Sequence, residues 1–413
     1  MSETIVKDIL GNVSFINMGQ SPDSIYYNEE GNGMPLIQGN ADIKERKSIK
    51  RFYTSQITKV CDEGDILMTV RAPVGYVGVA SFQSCVGRGV CSIKANGVDS
   101  KYLFYLLIQN EDKWKAFEAG TTFSAVTSKE VYNFPLHLTK SKNEQKKIAR
   151  ILSTADAVIE KTQSAIAKYK AIKQGMLQDL FTRGIDLQTG KLRLRYEDAP
   201  ELYKESKLGW IPREWEEMNI DSIGEIITGS TPPTARSEYY GDEFLFVSPA
   251  DIQDNFYIKE TGKKLTQSGF DVCRKLPEKS ICVVCIGSTI GKMALLANEG
   301  CTNQQINSVI CFDSDLSTCF FYAMMFYNES QFRRETGLQA VPIVNKSQFS
   351  EFLVPVVEKT EALKIAERLN VIDNKIQIEQ TYLQKMQQLK NGLMEDLLSG
   401  KKKVIINEPQ LNE

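Results

Sequence analysis

The sequence predicts an α+β fold in which two β-rich α/β domains are each followed by a long helix, and the two helices form an antiparallel coiled coil with pseudo-two-fold symmetry. Three features of the 413-residue chain lead to this prediction. A charged segment with regularly spaced aliphatic residues occurs twice, both copies continue as a heptad pattern, and similar strand-like stretches precede each copy.

The repeated segment reads EQKKIARILSTAD at residues 144–156 and EALKIAERLNVID at residues 361–373. The register holds without a gap to Thr182 and Ser399, at a constant offset of 217 positions. Identical pairs along it include Lys147/Lys364, Asp156/Asp373, Lys168/Lys385, Lys173/Lys390, Gly175/Gly392 and Leu180/Leu397. A match of this length indicates a duplicated unit.

Both copies carry apolar residues at heptad spacing, interrupted at the same place by Lys173 and Lys390. The apolar positions are Ile148, Leu152, Ala155, Ile159, Ile166, Tyr169, Met176 and Leu180 in the first copy, and Ile365, Leu369, Ile372, Ile376, Leu383, Met386, Leu393 and Leu397 in the second. A seam of this length favours a coiled coil over an amphipathic helix buried in a globular core.

The connection between the halves, residues 185–209, is charged and has little apolar periodicity. A helix of about 39 residues spans roughly 58 Å, so parallel helices would require this connection to run back along their whole length. Antiparallel helices allow the connection to stay local. We therefore expect the two globular domains at opposite ends of the helical pair.

The β-rich stretches before the two helices correspond more loosely. Residues 19–22 match 229–232, residues 41–43 match 250–252, and the strand-like residues 65–70 match 280–285. The predicted organisation is therefore a first domain at 1–143, a helix at 144–184, a linker at 185–209, a second domain at 210–357, a helix at 358–400 and a tail at 401–413.

Composition argues against several classes of protein. The net charge is −2, so any nucleic-acid contact requires local positive charge. No run of eighteen apolar residues occurs and the N-terminus does not resemble a signal peptide, so we expect a cytoplasmic protein. The nine cysteines are then expected to be reduced, and the pair Cys282 and Cys285, within an apolar run, is interpreted as buried rather than zinc-binding.

The chain contains no recognisable catalytic motif. Residues 287–292, GSTIGK, resemble a phosphate-binding loop, but the glycines are too close together and Met293 follows the lysine. His137 is the only histidine and lies in a strand-like stretch, which argues against a nucleophile–histidine pair. We therefore predict no catalytic residue, no metal ligand and no cofactor on this chain.

Local positive charge occurs at corresponding places in the two halves. The first half carries Lys44, Arg46, Lys47, Lys50 and Arg51 beside Phe52 and Tyr53, and the second carries Lys259, Lys263 and Lys264 near Phe256 and Tyr257. Such stretches suit phosphate contacts, although exposed loops often look similar. Further candidates for DNA contacts are Arg71, Arg88, Lys129, Lys292, Gln304 and Lys346.

Gly175 and Gly392 lie inside the two predicted helices, where glycine costs roughly 1 kcal/mol relative to alanine. Their matched positions predict a close backbone approach, either to the opposite helix or to a docked partner. We interpret both as candidate partner-binding residues.

The chain resembles the specificity subunits of type I restriction–modification systems. The resemblance lies in the helix start at 144–156, the helix end at 173–180 and its repeat at 390–397, the segment KESKLGWIPREWE at 204–216, and the turn at 287–291. Each motif is weak alone, but their order and duplication are specific. Alanine at position 362, where the first copy has Gln145, departs from the family pattern.

This resemblance implies a non-catalytic, sequence-specific DNA-binding protein with two target-recognition domains. Each domain would read one half of a bipartite, asymmetric site in double-stranded DNA, and the helices would set the spacing between halves. Two adenine methyltransferase subunits would dock on the helices and ATP-dependent restriction–translocase subunits would join them, so S-adenosylmethionine, ATP and Mg are expected on partners. The alternatives are a coiled-coil scaffold whose end domains bind proteins and, less favoured because no cofactor loop is visible, a self-contained methyltransferase–endonuclease.

Overall fold

The computed structural model describes residues 5–114, 125–253, 256–337 and 341–405. The ends of the predicted first domain and tail, residues 1–4 and 406–413, lie outside this part of the chain. Two compact units are present: unit 1 comprises residues 1–163 and 382–413, and unit 2 comprises residues 164–381. Each unit therefore contains a β-rich region and segments of both long helices.

In unit 1 the β-rich region forms two main sheets and a strand pair. The six-stranded sheet has the order β2-β12-β9-β10-β6-β5, the five-stranded sheet has the order β3-β7-β4-β11-β8, and β1 pairs with β13. The strands are β1 (Ile5–Ile9), β2 (Ser14–Met18), β3 (Tyr27–Asn28), β4 (Met34–Ile37), β5 (Ile43–Lys44), β6 (Lys47–Ser48), β7 (Phe52–Thr54), β8 (Val60–Cys61), β9 (Ile66–Thr69), β10 (Val77–Val79), β11 (Ser84–Val86), β12 (Val90–Ala95) and β13 (Pro135–Thr139).

The helices that begin in unit 1 are α1 (Ser100–Gln109), α2 (Glu111–Trp114), α3 (Ser128–Tyr132) and the long α4 (Lys142–Thr182), which continues into unit 2. Apolar residues of α1 and of the start of α4 pack on the six-stranded sheet. The largest cluster joins Met68, Leu106 and Trp114 with Leu152 of α4 and Leu397 of the second long helix. The α4 heptad positions at this end are therefore buried in the core of unit 1.

Unit 2 repeats this plan. Its five-stranded sheet has the order β17-β25-β22-β23-β20, its four-stranded sheet the order β18-β21-β19-β24, and two strand pairs, β16-β26 and β14-β15, complete it. The strands are β14 (Tyr203–Ser206), β15 (Gly209–Pro212), β16 (Glu216–Asn219), β17 (Gly224–Thr228), β18 (Tyr240–Gly241), β19 (Phe244–Val247), β20 (Tyr257–Ile258), β21 (Lys264–Leu265), β22 (Ile281–Val284), β23 (Met293–Leu296), β24 (Gly300–Thr302), β25 (Ile306–Cys311) and β26 (Leu353–Val356).

The helices that begin in unit 2 are α5 (Ile220–Ile223), α6 (Gln267–Asp271), α7 (Ser317–Thr336), α8 (Lys346–Ser350) and the long α9 (Lys359–Leu398), which continues into unit 1. Leu180 of α4 and Ile365 and Leu369 of α9 belong to the main core of this unit. In both units a heptad segment of each long helix is thus part of the globular core.

Most strands of the two units' sheets correspond, although β5 and β8 of unit 1 have no counterpart in the described sheets of unit 2. In unit 1, β12 pairs antiparallel with β2 and β9, and β10 pairs antiparallel with β9 and parallel with β6. In unit 2, β25 pairs antiparallel with β17 and β22, and β23 pairs antiparallel with β22 and parallel with β20. The parallel pair β4-β11 likewise corresponds to β19-β24. The β-rich regions, like the helices, are therefore two copies of one pattern.

Cys282 and Cys285 are buried in unit 2 and belong to different clusters of the core. Burial raises the pKa of each thiol to about 12, so both are protonated at neutral pH. Within the described ranges, no group of three or more His, Cys, Asp or Glu side chains could hold a metal ion. No helix in those ranges is both long and apolar enough to cross a membrane.

Candidate nucleic-acid interface

In unit 1, four loop segments meet at one end of the six-stranded sheet, and we call this place the unit 1 junction: residues 19–22, 37–39, 69–71 and 86–90. Backbone hydrogen bonds hold it together. Gly19 N donates to Val90 O at 3.1 Å, and Gln20 N donates to Val86 O at 2.8 Å. The two other bonds run from Gly87 N to Ile37 O, 2.8 Å, and from Val70 N to Gly89 O, 2.9 Å.

The unit 2 junction consists of residues 229–232, 247–248, 284–287 and 302–306. Its backbone hydrogen bonds join the positions equivalent to those joined in unit 1. Gly229 N donates to Ile306 O at 3.0 Å and Ser230 N to Thr302 O at 2.9 Å. The two other bonds run from Asn303 N to Val247 O, 2.9 Å, and from Cys285 N to Gln305 O, 2.8 Å. The sequence match between residues 19–22 and 229–232 therefore reflects one backbone scaffold built twice.

Close backbone approach explains the glycine at the start of each junction. A Cβ at Gly19 would lie 2.2 Å from Gly87 O, and a Cβ at Gly229 would lie 2.1 Å from Asn303 O. Neither neighbour is a flexible side chain, so any other residue would displace the backbone. An aspartate also recurs: Asp42 Oδ2 accepts from Gln38 N at 2.7 Å, and Asp251 Oδ2 accepts from Ser248 N at 2.8 Å.

The exposed side chains at the two junctions differ although the backbone does not. Arg88 occupies the place that Gln304 takes in unit 2, and Arg71 occupies the place of Ile286. Arg71, Arg88 and Gln304 are exposed. The two junctions are therefore equivalent in backbone but differ in the side chains that they expose.

Two of the predicted lysines lie in short helices that follow segments paired with the junctions. Ala125 pairs with Arg71 and Ile343 pairs with Ile286, and each of these segments leads into a short helix, α3 or α8. Lys129 lies in the first turn of α3 and Lys346 is the first residue of α8. Lys292 follows the turn after β22. The structure thus places Arg71 and Arg88 at the unit 1 junction and Gln304 at the unit 2 junction, whereas Lys129, Lys292 and Lys346 lie on adjoining segments.

The predicted basic stretch of the first half lies elsewhere, in the hairpin of β5 and β6. Arg46 pairs with Glu111 of α2 and donates to Val77 O at 2.8 Å, and Lys47 pairs with Glu160 of α4 at 2.8 Å. Both of these cations therefore already have a carboxylate partner. Lys44 is exposed, and no ion pair of Lys44 occurs within the described ranges.

Three more of the predicted cations have local contacts. Lys50 Nζ lies 5.1 Å from the centre of the Phe82 ring, and Arg51 pairs with the buried Asp42 at 3.1 Å. In unit 2, Lys264 pairs with Glu260 at 2.7 Å, whereas Lys259 and Lys263 are exposed around β20 and β21. The role of this second group in DNA binding stays a prediction.

The lysines that interrupt the heptads make partly buried contacts that the heptad pattern did not predict. In unit 2, Lys173 Nζ lies 2.8 Å from Asp373 Oδ1, and Tyr322 of α7 donates its hydroxyl to Asp373 Oδ2 at 2.5 Å. In unit 1, Lys390 and Tyr105 contact Asp156 in the same way, at 2.5 and 2.6 Å. Tyr105 and Tyr322 have the same sequence offset as the helices, a signal that could have identified them.

Gly175 and Gly392 lie on exposed faces of α4 and α9. A Cβ at either position would have no atom within 4 Å in the described part of the chain. The predicted close approach to the opposite helix is therefore wrong, because the space beside each glycine is open. The alternative, a docked partner, stays a prediction.

The buried Glu361 accounts for the alanine at position 362, where the first helix has Gln145. Its buried carboxylate accepts from Arg193, from Ile185 N at 2.6 Å and from Trp215 Nε1 at 3.1 Å. In unit 1 the buried polar residue is instead Gln145, which accepts from Asp99 N at 2.8 Å. The buried Ala362 packs at the position equivalent to Gln145.

Comparison with known proteins agrees with this duplicated architecture. The model of the family described as "Type I restriction modification DNA specificity domain" matches residues 6–168 and again residues 212–388. The chain therefore belongs to the family of type I restriction–modification DNA specificity proteins. The two matches coincide with the two β-rich regions and the helices that follow them.

Relatives and a solved structure show the extent of the similarity. The chain is 25% identical to the HindI type I restriction enzyme specificity subunit of Haemophilus influenzae over 94% of each protein. It is 38% identical to a Methanocaldococcus jannaschii protein, provisionally named the type I restriction enzyme MjaX specificity subunit, over 44% of this chain and 43% of that protein. The crystal structure of a type I restriction–modification S subunit from M. genitalium superposes with a TM-score of 0.67 at 15% identity, covering 96% of this chain and 97% of that chain, which shows a shared fold.

Proposed function

We propose that the chain is the specificity subunit of a type I restriction–modification complex and determines which DNA sequence that complex recognises. In this proposal the two β-rich regions are target-recognition domains, bounded as predicted at residues 1–143 and 210–357. Each reads one half of a bipartite, asymmetric site in double-stranded DNA.

One observation carries this proposal: the chain builds the same junction twice and presents different side chains on it. Duplicated recognition of a single sequence would favour the same exposed residues in both copies. Arg88 and Gln304 at equivalent places instead favour a site whose two halves differ. Lys129, Lys292 and Lys346 beside the junctions would contact phosphates, which position a protein on DNA without reading its sequence.

We further propose that α4 and α9 pair as an antiparallel coiled coil with pseudo-two-fold symmetry and thereby set the spacing of the half-sites. Two ion pairs support this pairing. Lys390, near the end of α9, pairs with Asp156 in the first half of α4, and Lys173, late in α4, pairs with Asp373 early in α9. Each pair joins the late part of one helix to the early part of the other.

Methyltransferase subunits would dock on the exposed faces of these helices. In unit 2, Ile172 is exposed one helical turn before Gly175, and in unit 1 Leu389 is exposed one turn before Gly392. Each place combines an apolar side chain with a stretch of backbone that no side chain in the described part of the chain covers. Two such places suit two copies of one partner, and restriction–translocase subunits would join that assembly.

The chemistry would belong to the partner subunits, which would bind S-adenosylmethionine, ATP and Mg. The purified chain alone should then transfer no methyl group from a labelled donor to duplex DNA, cleave no DNA and hydrolyse no ATP. Turnover that survives repurification of the chain would contradict a non-catalytic role.

Methylome sequencing of the host with and without this gene tests the proposed function. We expect one bipartite motif, with adenine methylation in both halves, to disappear when the gene is deleted and to return when it is restored. An unchanged methylome, in a host that expresses an intact methyltransferase subunit, would favour the alternative of a protein-binding scaffold.

A further inference from the structure

Arg88 and Gln304 occupy one and the same position of the two junctions. The residue before each donates its backbone N–H to the end of an inner strand, Gly87 to Ile37 and Asn303 to Val247. The carbonyl of the residue after each accepts a hydrogen bond from the residue that follows β9 or β22: Gly89 O accepts from Val70 N, and Gln305 O accepts from Cys285 N. Both positions are therefore fixed by backbone bonds on either side.

A hydroxyl side chain in the first loop segment anchors each residue. Arg88 N donates to Ser21 Oγ at 3.1 Å, and Thr231 Oγ1 donates to Gln304 Oε1 at 2.6 Å. The Arg88 guanidinium forms no ion pair with an acidic side chain in the described part of the chain, and Arg88 and Gln304 are both exposed. The bond at Arg88 holds its backbone, and the bond at Gln304 holds its side-chain oxygen. Both bonds reduce the conformational freedom that binding would otherwise remove, which suits recognition.

The two side chains have different hydrogen-bonding patterns. A guanidinium presents two parallel N–H donors, which match the O6 and N7 acceptors of guanine in the major groove. A carboxamide presents one donor and one acceptor, which match N7 and N6 of adenine. The Gln304 oxygen has two lone pairs, so it can accept from adenine N6 while it keeps the hydrogen bond from Thr231.

We propose that Arg88 and Gln304 are base-reading residues: Arg88 recognises a guanine in the half-site of the first domain, and Gln304 an adenine in the half-site of the second. This inference rests on the proposed function, since it assigns residues to the two recognition events. Neighbouring cations such as Lys129 contact phosphate and carry no sequence information.

The test uses the full complex of this chain with its methyltransferase subunits. The wild-type motif is first determined by methylome sequencing, and binding is then measured on a set of duplexes that carries every single base-pair change in that motif. R88Q should lose its preference at one G·C pair of one half-site, with binding to the wild-type site weakened roughly 5- to 150-fold. Changing that pair to A·T should restore binding by R88Q, while the other half-site is read as before.

The converse variant, Q304R, should alter one A·T position in the other half-site only. R88K is a conservative control that keeps the charge but loses the planar pair of donors, so it should weaken the guanine preference less than R88Q does. Lys129→Ala is the matched phosphate control, because it should weaken binding to all duplexes alike and reduce the salt dependence. Thermal unfolding of each variant, measured in parallel, checks that these exposed substitutions leave the fold intact.

Two results would overturn the inference, and they are distinguishable. If the wild-type complex methylates no specific motif, the proposed function fails and the inference fails with it. If the wild-type complex reads a bipartite motif but R88Q and Q304R keep every base preference, or weaken all duplexes uniformly, only the base-reading assignment fails.

Discussion

Lys173 of α4 and Asp373 of α9 form an ion pair 2.8 Å long in which the two side chains are only 16% and 10% exposed. The pair is completed by Tyr322, whose hydroxyl donates to the same carboxylate and whose ring centre lies 5.3 Å from Lys173 Nζ. The heptad seam is interrupted here because a buried charge requires a partner, and the lysine provides it.

Removal of Lys173 should therefore lower the stability of the protein. K173M leaves the Asp373 carboxylate buried and unpaired, and we expect the free energy of unfolding to fall by about 3 kcal/mol. K390M should cost less, because its partner Asp156 is 37% exposed and water can replace the lysine. Urea unfolding of both variants, with K168M on an exposed helix face as the control, measures the difference. Equal effects of K173M and K168M would show that the buried pair does not stabilise the protein.

Alkaline pH should weaken the same contacts. Burial, followed by the nearby Asp373 carboxylate, raises the pKa of the Tyr322 hydroxyl well above its usual value of about 10. A raised pKa contributes stability that is complete below pH 10 and is lost as the pH rises above it, at up to about 1.4 kcal/mol per pH unit. The midpoint of thermal unfolding should therefore fall less steeply between about pH 9.5 and 11 in Y322F than in the wild type. Parallel profiles would contradict this account.

Because the space beside Gly175 and Gly392 is open, substitutions there should affect subunit assembly without disrupting the fold. Alanine at both positions should raise the thermal stability of the isolated chain, because glycine costs roughly 1 kcal/mol in a helix, and leucine should also be accommodated. Leucine at both positions should nevertheless impair association with the methyltransferase subunit, whereas alanine should be better tolerated. Sedimentation of the mixed subunits measures association. Full assembly of the double leucine variant would remove these glycines from the docking surface.

The basic hairpin should contribute to DNA affinity mainly through Lys44. Neutralising Lys44, Arg46 and Lys47 together should weaken binding to every sequence, with a fall in salt slope of about 0.9 for each phosphate that the protein no longer neutralises. Because Arg46 and Lys47 already pair with carboxylates, K44A alone should give most of this change, and R46A should mainly lower thermal stability. An unchanged slope for the triple variant would mean that these cations do not contact DNA.

Insertion of seven residues in heptad register into both long helices, at matching points, tests the proposed spacing role. The apolar seam is preserved, and the helices lengthen by about 10 Å, or roughly 3 bp of B-DNA. A half-site moved by this amount also rotates by about three tenths of a turn around the DNA axis. The variant should fold and bind its partners but lose methylation of the original site. Normal methylation of that site would show that the helices do not set the spacing.

Much of the architecture was readable from the sequence because it is periodic or repeated. The heptads and the offset of 217 positions predicted the long helices, which run from Lys142 to Thr182 and from Lys359 to Leu398. The match between residues 19–22 and 229–232 likewise identified one backbone scaffold in both halves. The family resemblance, carried by the order and duplication of weak motifs, is confirmed by the double match to the specificity-domain family.

The candidate site was predicted less well, since the sequence shows which cations are near one another in the chain but not which carboxylates face them. Arg46 belonged to the most basic stretch of the first half, yet its partner Glu111 lies 65 positions away and comes close only through folding. Arg88 stands alone in the sequence, and only the meeting of four distant loop segments places it at the junction. One of the two alternatives for Gly175, contact with the opposite helix, was wrong for a related reason, because a small residue in a helix does not reveal whether that face is covered.

By itself, the sequence determined the duplication, the helices and the family, because these depend on residue patterns along the chain. Tertiary structure alone decided which charges are neutralised and which polar side chains share one surface. Lys173 and Asp373 are 200 positions apart, and their ion pair exists because two helices pack together and exclude water from the space between them. Coulomb attraction and desolvation act across that space, and the order of residues along the chain does not specify it.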